Sequence, residues 1–196
     1  GWLVENMCAR GWRAEGLDFD TRSVAAARER GLRMHAGGLA EQAFPDASFD
    51  AVTMSHSIEH VHDPVAWLRE VRRILKPGGR LSLATPNTRS YGHRVFGRHW
   101  FALDPPRHLH LFNPAAMTRA LRAAGFARFR IFTSIRDANG TFIAGRAIRA
   151  RGRFDMTAPQ APVEKIRGRA MQLVEAAVNL VRRDAGEDLV VLADAQ

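Results

Sequence analysis

Short apolar segments of strand character alternate with amphipathic helical segments along most of this 196-residue chain. Strands and helices at this spacing build a mainly parallel sheet with right-handed crossovers and helices on both faces. The sequence therefore predicts an α/β fold. Asp20, Asp63 and Asn113 stand where they would cap the helices that follow. The predicted strands cover residues 13–18, 32–36, 49–54, 80–85, 126–134 and 189–193.

The segment before the last predicted strand departs from this alternation. Apolar residues recur there at helical spacing and predict one long amphipathic helix. These residues are Val163, Ile166, Ala170, Leu173, Ala177 and Val181. The simplest account is a pair of helices inserted between the last two strands. We therefore expect residues 1–138 and 184–196 to form the α/β domain and residues 139–183 to be an inserted helical segment of the same domain.

The cysteine content and the apolar runs bear on the compartment. Cys8 is the only cysteine, which excludes an internal disulfide and fits a reducing compartment. No apolar run approaches the roughly 20 residues that a membrane span needs, and no charged-then-apolar leader precedes the first helix. We therefore expect a cytoplasmic protein without a membrane partner.

The formal net charge of +9 raises the question of a nucleic-acid partner, since clustered basic side chains neutralise phosphates. Most of the basic residues are spread along helices, where they form a solvated face, and we do not expect nucleic acid to bind. One stretch is different, because seven arginines there oppose only Asp137, and it would face either solvent or an acidic partner. These arginines are Arg128, Arg130, Arg136, Arg146, Arg149, Arg151 and Arg153.

In an open parallel sheet, ligands bind beyond the carboxyl ends of the strands. Asp18 ends the first predicted strand, where its carboxylate could accept hydrogen bonds from both hydroxyls of a ribose, although Asp18 or Asp20 could equally cap the next helix. The segment GGL at 37–39 follows the second strand. Its backbone could approach a flat ring closely and offer an N–H group, or it could form a plain turn.

Two histidine-rich segments follow later strands, SHSIEHVHD at 55–63 and PPRHLHLF at 105–112. Histidine serves as an acid, a base or a metal ligand near neutral pH. Glu59 and His60 are sequence neighbours whose side chains would point apart on a helix, so we expect no metal site. Polar and apolar residues alternate in the second segment, which is also compatible with one histidine packed in the core.

Several linked motifs resemble those of class I S-adenosylmethionine-dependent methyltransferases, in particular the small-molecule type that includes the ubiquinone-biosynthesis O-methyltransferases. The resemblance covers nearly the whole chain. It implies a Rossmann-like fold, S-adenosylmethionine as the cofactor and a small molecule as the methyl acceptor. The motifs are FPDASFDAV at 44–52, IEHV with DP at 58–64, LKPGGRL at 75–81, TPN at 85–87, PRHL at 106–109 and AGF at 124–126.

The resemblance also implies which residues bind the cofactor. Asp18 would bind the ribose hydroxyls, Phe19 would flank the adenine, and Gly38 with Leu39 would line the adenine pocket. The acidic residue usual in the adenine-side loop is here Gly38, so the adenine amino group would need other partners. Ser55 and His56 would face the methionine part of the cofactor.

The family's first strand lies at the centre of the sheet and ends in a glycine-rich turn, whose last glycine Gly1 resembles. Everything before that glycine is missing here, and the slot between the strands at 13–18 and 49–54 would leave two rows of unpaired backbone groups. We expect upstream residues, another segment or chain, or a rearrangement to fill it. A homo-oligomer or strand exchange would cover the gap.

Methyl transfer to a hydroxyl needs an aligned acceptor and a group that removes its proton. His108 is the first candidate base, because its loop should fold over the methyl group, and His60 is the second. Arg107 could bind an acidic acceptor, and Trp100 and Tyr91 could wall an apolar one. The alternative for these residues is a lid packed on the sheet edge.

The sequence leaves three classes of function to compare. The leading hypothesis is an S-adenosylmethionine-dependent methyltransferase of small molecules. A non-catalytic binding or interaction module would keep the fold but lack the glycine-rich turn. A nicotinamide-dependent oxidoreductase would also carry an acidic residue after its second strand, but the motifs at 49–50 and 76–79 argue against it.

Overall fold

The computed structural model describes residues 1–195, which fall into two compact units, one from Gly1 to Asp46 and one from Ala47 onward. The first unit contains the helices α1 (Trp2–Ala9) and α2 (Thr21–Glu29) and the strands β1 (Glu15–Asp18) and β2 (Arg33–Ala36).

The two strands of the first unit pair in parallel, with Asp18 opposite Ala36 at their carboxyl ends. Asp20 caps α2, since its side chain accepts the Arg22 N–H at 3.0 Å, as the sequence predicts. The core of the unit is small and apolar, and its buried members are Val4, Val24, Ala27 and Met34.

The second unit is larger and follows the predicted strand–helix alternation through to a helical insertion. Its strands are β3 (Phe49–Ser55), β4 (Leu75–Pro86), β5 (Arg128–Ser134) and β6 (Asp188–Asp194). Its helices are α3 (Pro64–Ile74), α4 (Tyr91–Phe96), α5 (Pro114–Ala123), α6 (Ala138–Arg151) and α7 (Pro162–Val181).

The four strands of the second unit form one sheet in the order β3-β4-β6-β5. β3 and β4 are parallel, and β6 lies antiparallel between β4 and β5, so β6 alone runs against the other strands of its sheet. The prediction of an α/β fold with a mainly parallel sheet is confirmed. The carboxyl ends of β3 and β4 therefore meet the start of β6 at one edge of the sheet.

Within the described residues β1 pairs with β2 alone and β3 pairs with β4 alone. The expectation that the family's first strand is missing from this chain stays a prediction. The sequence predicts that β3 is buried, but most of its side chains are exposed. The position of β3 at the edge of the sheet explains this difference. Met54 is the one buried side chain of β3, and alternate residues Ala51, Thr53 and Ser55 are exposed.

The inserted pair of helices is present as α6 and α7, between β5 and β6. The boundaries proposed for the insertion, 139–183, stay a prediction, and the insertion lies within the second of the two compact units. No helix within residues 1–195 is long and apolar enough to cross a membrane.

The orientation of α7 is not the one that its apolar stripe suggests. Ile166 and Leu173 are 68% and 72% exposed, whereas Gly168 and Glu175 are the buried residues of the helix. The close approach of α7 to α6 decides this, because a Cβ at position 168 would lie 2.9 Å from the Asn139 carbonyl oxygen. The helix is confirmed, and the burial of its apolar stripe is not.

Candidate functional site

Asp18 stands at the carboxyl end of β1 and uses part of its hydrogen-bonding capacity locally. Its Oδ1 accepts the Asp20 N–H at 2.9 Å, and the Asp18 carbonyl oxygen accepts the Gly37 N–H at 3.1 Å. Its Oδ2 has no hydrogen-bond partner among residues 1–195. The structure therefore brings Asp18 beside the Gly37–Gly38 turn, and one carboxylate oxygen is available to a ligand.

The Gly37–Gly38 turn differs from its expected form in one respect. Gly37 has a φ of 103°, a conformation that suits glycine, and Leu39 is buried. The Gly38 N–H, expected to be available, donates to Glu41 Oε2 at 3.0 Å. Sequence reasoning missed Glu41, although an acidic residue three positions after a glycine turn is a signal for such a contact.

Phe19 and Gly1 are the remaining predicted cofactor residues of the first unit. Phe19 directly follows Asp18 and is 58% exposed. Gly1 packs on α2, since a Cβ there would lie 2.9 Å from that of Ala27. The glycine accepts the Glu5 N–H at 3.0 Å as the residue that precedes α1. The roles of both residues toward a cofactor stay predictions.

His56 lies at the centre of the site in the second unit, directly after β3. Its Nδ1 is 3.5 Å from Glu59 Oε1, and its Nε2 is 3.8 Å from Asp188 Oδ1 and 4.0 Å from Asp137 Oδ2. The contact with Glu59 is the main cause that raises the pKa of His56 above its ordinary value, and the two aspartates add to it. His56 also has a φ of 49°, an uncommon conformation for a residue with a side chain, and such strain concentrates at functional sites.

Glu59 is a carboxyl group with no exposed surface. Burial opposes its ionisation, but the contacts with His56 and Thr85 outweigh burial and hold the pKa of Glu59 below its ordinary value. The Thr85 hydroxyl donates to Glu59 Oε2 at 2.9 Å. Glu59 and His56 therefore form an oriented ion pair at the edge of the sheet.

Asp188 supplies a second acidic group to the same edge. It is the first residue of β6, 5% exposed, and burial raises its pKa to about 6. The antiparallel direction of β6 brings this residue to the carboxyl ends of β3 and β4. Sequence reasoning missed Asp188, although an acidic residue that opens an apolar strand is a visible signal.

His60 and His108 come together from segments nearly fifty residues apart, and their ring centroids are 4.7 Å apart. His60 Nδ1–H donates to the Arg107 carbonyl at 2.8 Å, and His108 Nδ1–H donates to the Ala102 carbonyl at 2.7 Å. In the neutral rings these bonds leave the proton on Nδ1 and a lone pair on Nε2. Both candidate bases can therefore accept a proton at Nε2.

The expectation that Glu59 and His60 point apart is wrong. Both lie on a 3₁₀ turn (Ile58–His60) rather than on an α-helix. Glu59, His60 and His108 each offer one ligand atom, and these three atoms lie within 4.8 Å of one another. His56, Asp137 and Asp188 form a second such group. Imidazole and carboxylate are ligands that divalent transition metals accept, so both groups have the donor types of a metal site.

Ser55 and Arg107 lie close to these groups. Ser55 is the exposed last residue of β3 and is paired with Ala84 of β4. Arg107 Nη1 is 3.3 Å from Asp104 Oδ2, within the loop that leads to His108. Arg107 was expected to meet an acidic acceptor, and the structure gives it an acidic partner of the chain's own.

Trp100 and Tyr91 belong to an aromatic core of the second unit. Trp100 is 1% exposed, its Nε1–H donates to Glu187 Oε1, and Tyr91 packs on the ring of Phe142. The segment between β4 and α5 contains α4, which Ser90 caps by accepting the His93 N–H at 2.9 Å. The lid interpretation therefore describes Trp100 better than the substrate-wall interpretation.

A family model described as a methyltransferase domain matches residues 1–128. A probable S-adenosylmethionine-dependent methyltransferase of Mycolicibacterium smegmatis is 35% identical over 139 residues, which are 63% of this chain and 51% of that protein. A ubiquinone biosynthesis O-methyltransferase of Xanthomonas oryzae pv. oryzae is 34% identical over 137 residues, 63% of this chain and 57% of that protein. The chain thus spans little more than half the length of these curated relatives.

Solved structures show the same fold. A SAM-dependent methyltransferase from Archaeoglobus fulgidus superposes with a TM-score of 0.64 at 18% identity, over 98% of this chain and 80% of that chain. The match to the methyltransferase domain model covers well over half of the residues and includes both the Asp18 turn and the His56–Glu59 pair. This chain belongs to the methyltransferase domain family.

Proposed function

We propose that this chain is the catalytic domain of an S-adenosylmethionine-dependent methyltransferase that acts on a small molecule. The observation that carries the proposal is the family match over residues 1–128. The names of the two curated relatives agree with it, since both are methyltransferases and one is named for S-adenosylmethionine. The name of the Xanthomonas relative, a ubiquinone biosynthesis O-methyltransferase, suggests small molecules with a hydroxyl group as the first class to test.

The residues of the first unit fit the ribose and adenine of this cofactor. Asp18 Oδ2 has no partner among the described residues and stands at a strand's carboxyl end, which supports a role in binding ribose hydroxyls. The exposed ring of Phe19 supports a contact with a flat base. When bound, S-adenosylmethionine supplies an electrophilic methyl group.

The second unit supplies the acid–base groups. His108 takes the role of the base: its Nε2 removes the proton of the acceptor hydroxyl. The Nδ1–H of His108 is held by the Ala102 carbonyl, which leaves the lone pair on Nε2. His60 has the same arrangement and is the second candidate. His56 and Ser55 would face the methionine part, and Glu59 orients the His56 ring and raises the pKa of His56 above its ordinary value.

Calorimetric titration with S-adenosylhomocysteine, the product form of the cofactor, tests the proposal. We expect saturable binding at one site per chain, both for the 196-residue chain and for the protein as its gene encodes it. Absence of binding heat with both proteins would contradict the proposal and favour a non-catalytic module instead. Binding of reduced nicotinamide dinucleotide, followed by its fluorescence, would favour an oxidoreductase.

A further inference from the structure

A cavity of about 270 Å³ lies in the second unit, between the segment that follows α4 and the end of α6. Pockets for drug-sized ligands usually measure about 300–1,000 Å³, so this one suits a single ring with a short side chain. The lining residues that matter are Arg98, Trp100, Phe101, Arg153 and Phe154.

Aromatic carbon forms the walls of this cavity. The rings of Phe101 and Phe154 meet edge to face with their centroids 5.8 Å apart. Trp100 also lines the cavity, but it is 1% exposed and its Nε1–H donates to Glu187, so it offers no free donor to a ligand. Aromatic walls of this kind favour a flat apolar ring through edge and stacking contacts.

Two arginines give the cavity a positive rim. Arg98 and Arg153 are exposed and have no ion-pair or hydrogen-bond partner among residues 1–195. Asp104 also lines the cavity, but Arg107 pairs with it at 3.3 Å. Arg146 of the same arginine-rich stretch is likewise paired, with Glu164 at 3.1 Å. The cavity therefore keeps two uncompensated guanidinium groups, which bind carboxylate or phosphate well.

The cavity adjoins the loop that carries the first candidate base. Asp104 and Pro105 line the cavity, and the Asp104 carbonyl accepts the N–H groups of Arg107 and His108 at 2.8 and 3.1 Å. A ligand that fills the cavity therefore lies against the first residues of the His108 loop.

We propose that this cavity binds a small aromatic anion, with the ring against Phe101 and Phe154 and the acid group on Arg98 and Arg153. The proposal rests on the proposed function only in naming this anion as the methyl acceptor or part of it. It assigns the acid-binding role to Arg98 and Arg153 instead of Arg107, and gives one arginine of the basic stretch a specific ligand.

Isothermal calorimetry without cofactor tests the binding. The probes are 3-phenylpropionate, its neutral amide and phenyl phosphate. We expect at least one of the two acids to bind at least tenfold more tightly than the amide, and the comparison of the acids tells a carboxylate ligand from a phosphate ligand. Equal affinity for acid and amide, or no binding of either acid, would overturn the proposal.

Three variants and one matched control locate the site. Arg98→Gln and Arg153→Gln should each weaken binding of the acid about tenfold and leave the amide unchanged, because each removes one charged hydrogen-bond donor. Phe154→Ala should weaken acid and amide together. Arg128→Gln removes the same charge from an exposed residue outside the cavity and should have no effect.

Two outcomes separate this proposal from the proposed function. If S-adenosylhomocysteine binds but Arg98→Gln and Arg153→Gln bind the acid as the unmodified protein does, the cavity assignment is wrong and the methyltransferase proposal stands. If the acid binds with the expected variant pattern and S-adenosylhomocysteine does not bind, the cavity assignment stands alone.

Discussion

The hydroxyl of Thr85 donates a 2.9 Å hydrogen bond to Glu59 Oε2, and both side chains are fully buried. Thr85 belongs to β4, and Glu59 lies on the turn after β3, so the bond joins the ends of two neighbouring parallel strands. The other carboxylate oxygen of Glu59 is the one that lies 3.5 Å from His56 Nδ1. Glu59 thus links Thr85 to His56: the Thr85 hydroxyl is one of the groups that lower the pKa of Glu59, and Glu59 is the main cause that raises the pKa of His56.

Thr85→Val removes this donor with little change in shape. We expect the pKa of Glu59 to rise and the pKa of His56 to fall toward its ordinary value, since the Thr85 bond favours the carboxylate. The free energy of unfolding should fall by about 1–3 kcal/mol, because a buried oxygen loses its donor. Histidine NMR titration and urea unfolding measure the two effects. Thr53→Val on the exposed side of β3 is the control, and a His56 titration that Thr85→Val leaves unchanged would refute the coupling.

Asp18→Asn tests the proposed ribose contact. The variant keeps an oxygen for the Asp20 N–H but loses the negative charge and one acceptor. We expect the affinity for S-adenosylhomocysteine to fall about tenfold, the equivalent of about 1.4 kcal/mol, with the stability of α2 preserved. Calorimetry measures the affinity. Glu29→Gln, a charge change on the exposed end of α2, should bind as the unmodified protein does, and equal loss in both variants would point to a general charge effect.

Local signals in the sequence were enough for the helix starts. Asp20, Asp63 and Asn113 all accept a backbone N–H from the first turn of the following helix, as predicted. Each of these contacts spans two or three residues, so it does not depend on the rest of the fold. The six-residue helix α4 was missed because it is too short to show a periodic pattern, although Ser90 caps it in the same way.

Tertiary packing decided what the sequence could not. The apolar stripe of α7 indicates which face should be buried, yet contact between Gly168 and α6 turns Glu175 inward instead. Glu59 and His60 converge because their turn is 3₁₀ rather than α. Asp188 reaches the site only because β6 runs antiparallel, and that direction is not visible in the residues of β6 themselves.

A pair of glycine substitutions tests how tightly the buried Glu187 is held. A Cβ on Gly92 would collide with Glu187 Oε2, and Glu187 is 2% exposed and bonded to Trp100, so it has little room to move. We expect Gly92→Ala to lower the free energy of unfolding by about 1–3 kcal/mol through overpacking. Gly140→Ala on α6 is the matched control, since its Cβ would meet no atom within 4 Å. That variant should be neutral or more stable by up to about 1 kcal/mol, because alanine favours a helix. Equal stability of the two variants, measured by urea unfolding, would show that Glu187 moves freely.

Glu175 makes the stability of the second unit depend on pH. It is fully buried, neither of its carboxylate oxygens has a hydrogen-bond partner among the described residues, and burial followed by the nearby Glu187 raises its pKa to about 8. Because this value exceeds the ordinary one of 4.5, the folded chain retains a proton that the unfolded chain releases. The stabilisation is therefore complete below about pH 4.5 and is lost as the pH rises toward 8.

Glu175→Gln keeps the shape of the side chain and its neutral state. The free energy of unfolding of the unmodified protein should fall by a few kcal/mol between pH 5 and 8, and that of the variant should fall less steeply. Urea unfolding at four or five pH values measures the slope. Glu164→Gln is the control on the same helix. Because contacts with Arg146 and Arg167 lower the pKa of Glu164, this substitution should not change how the free energy of unfolding varies with pH above 5. Glu187 and Asp188, whose pKa values burial raises to about 7 and about 6, and His56, whose pKa is also raised, should account for the slope that remains in Glu175→Gln. An unchanged slope in Glu175→Gln would mean that Glu175 is ionised in the folded protein and that α7 does not hold it as a neutral acid.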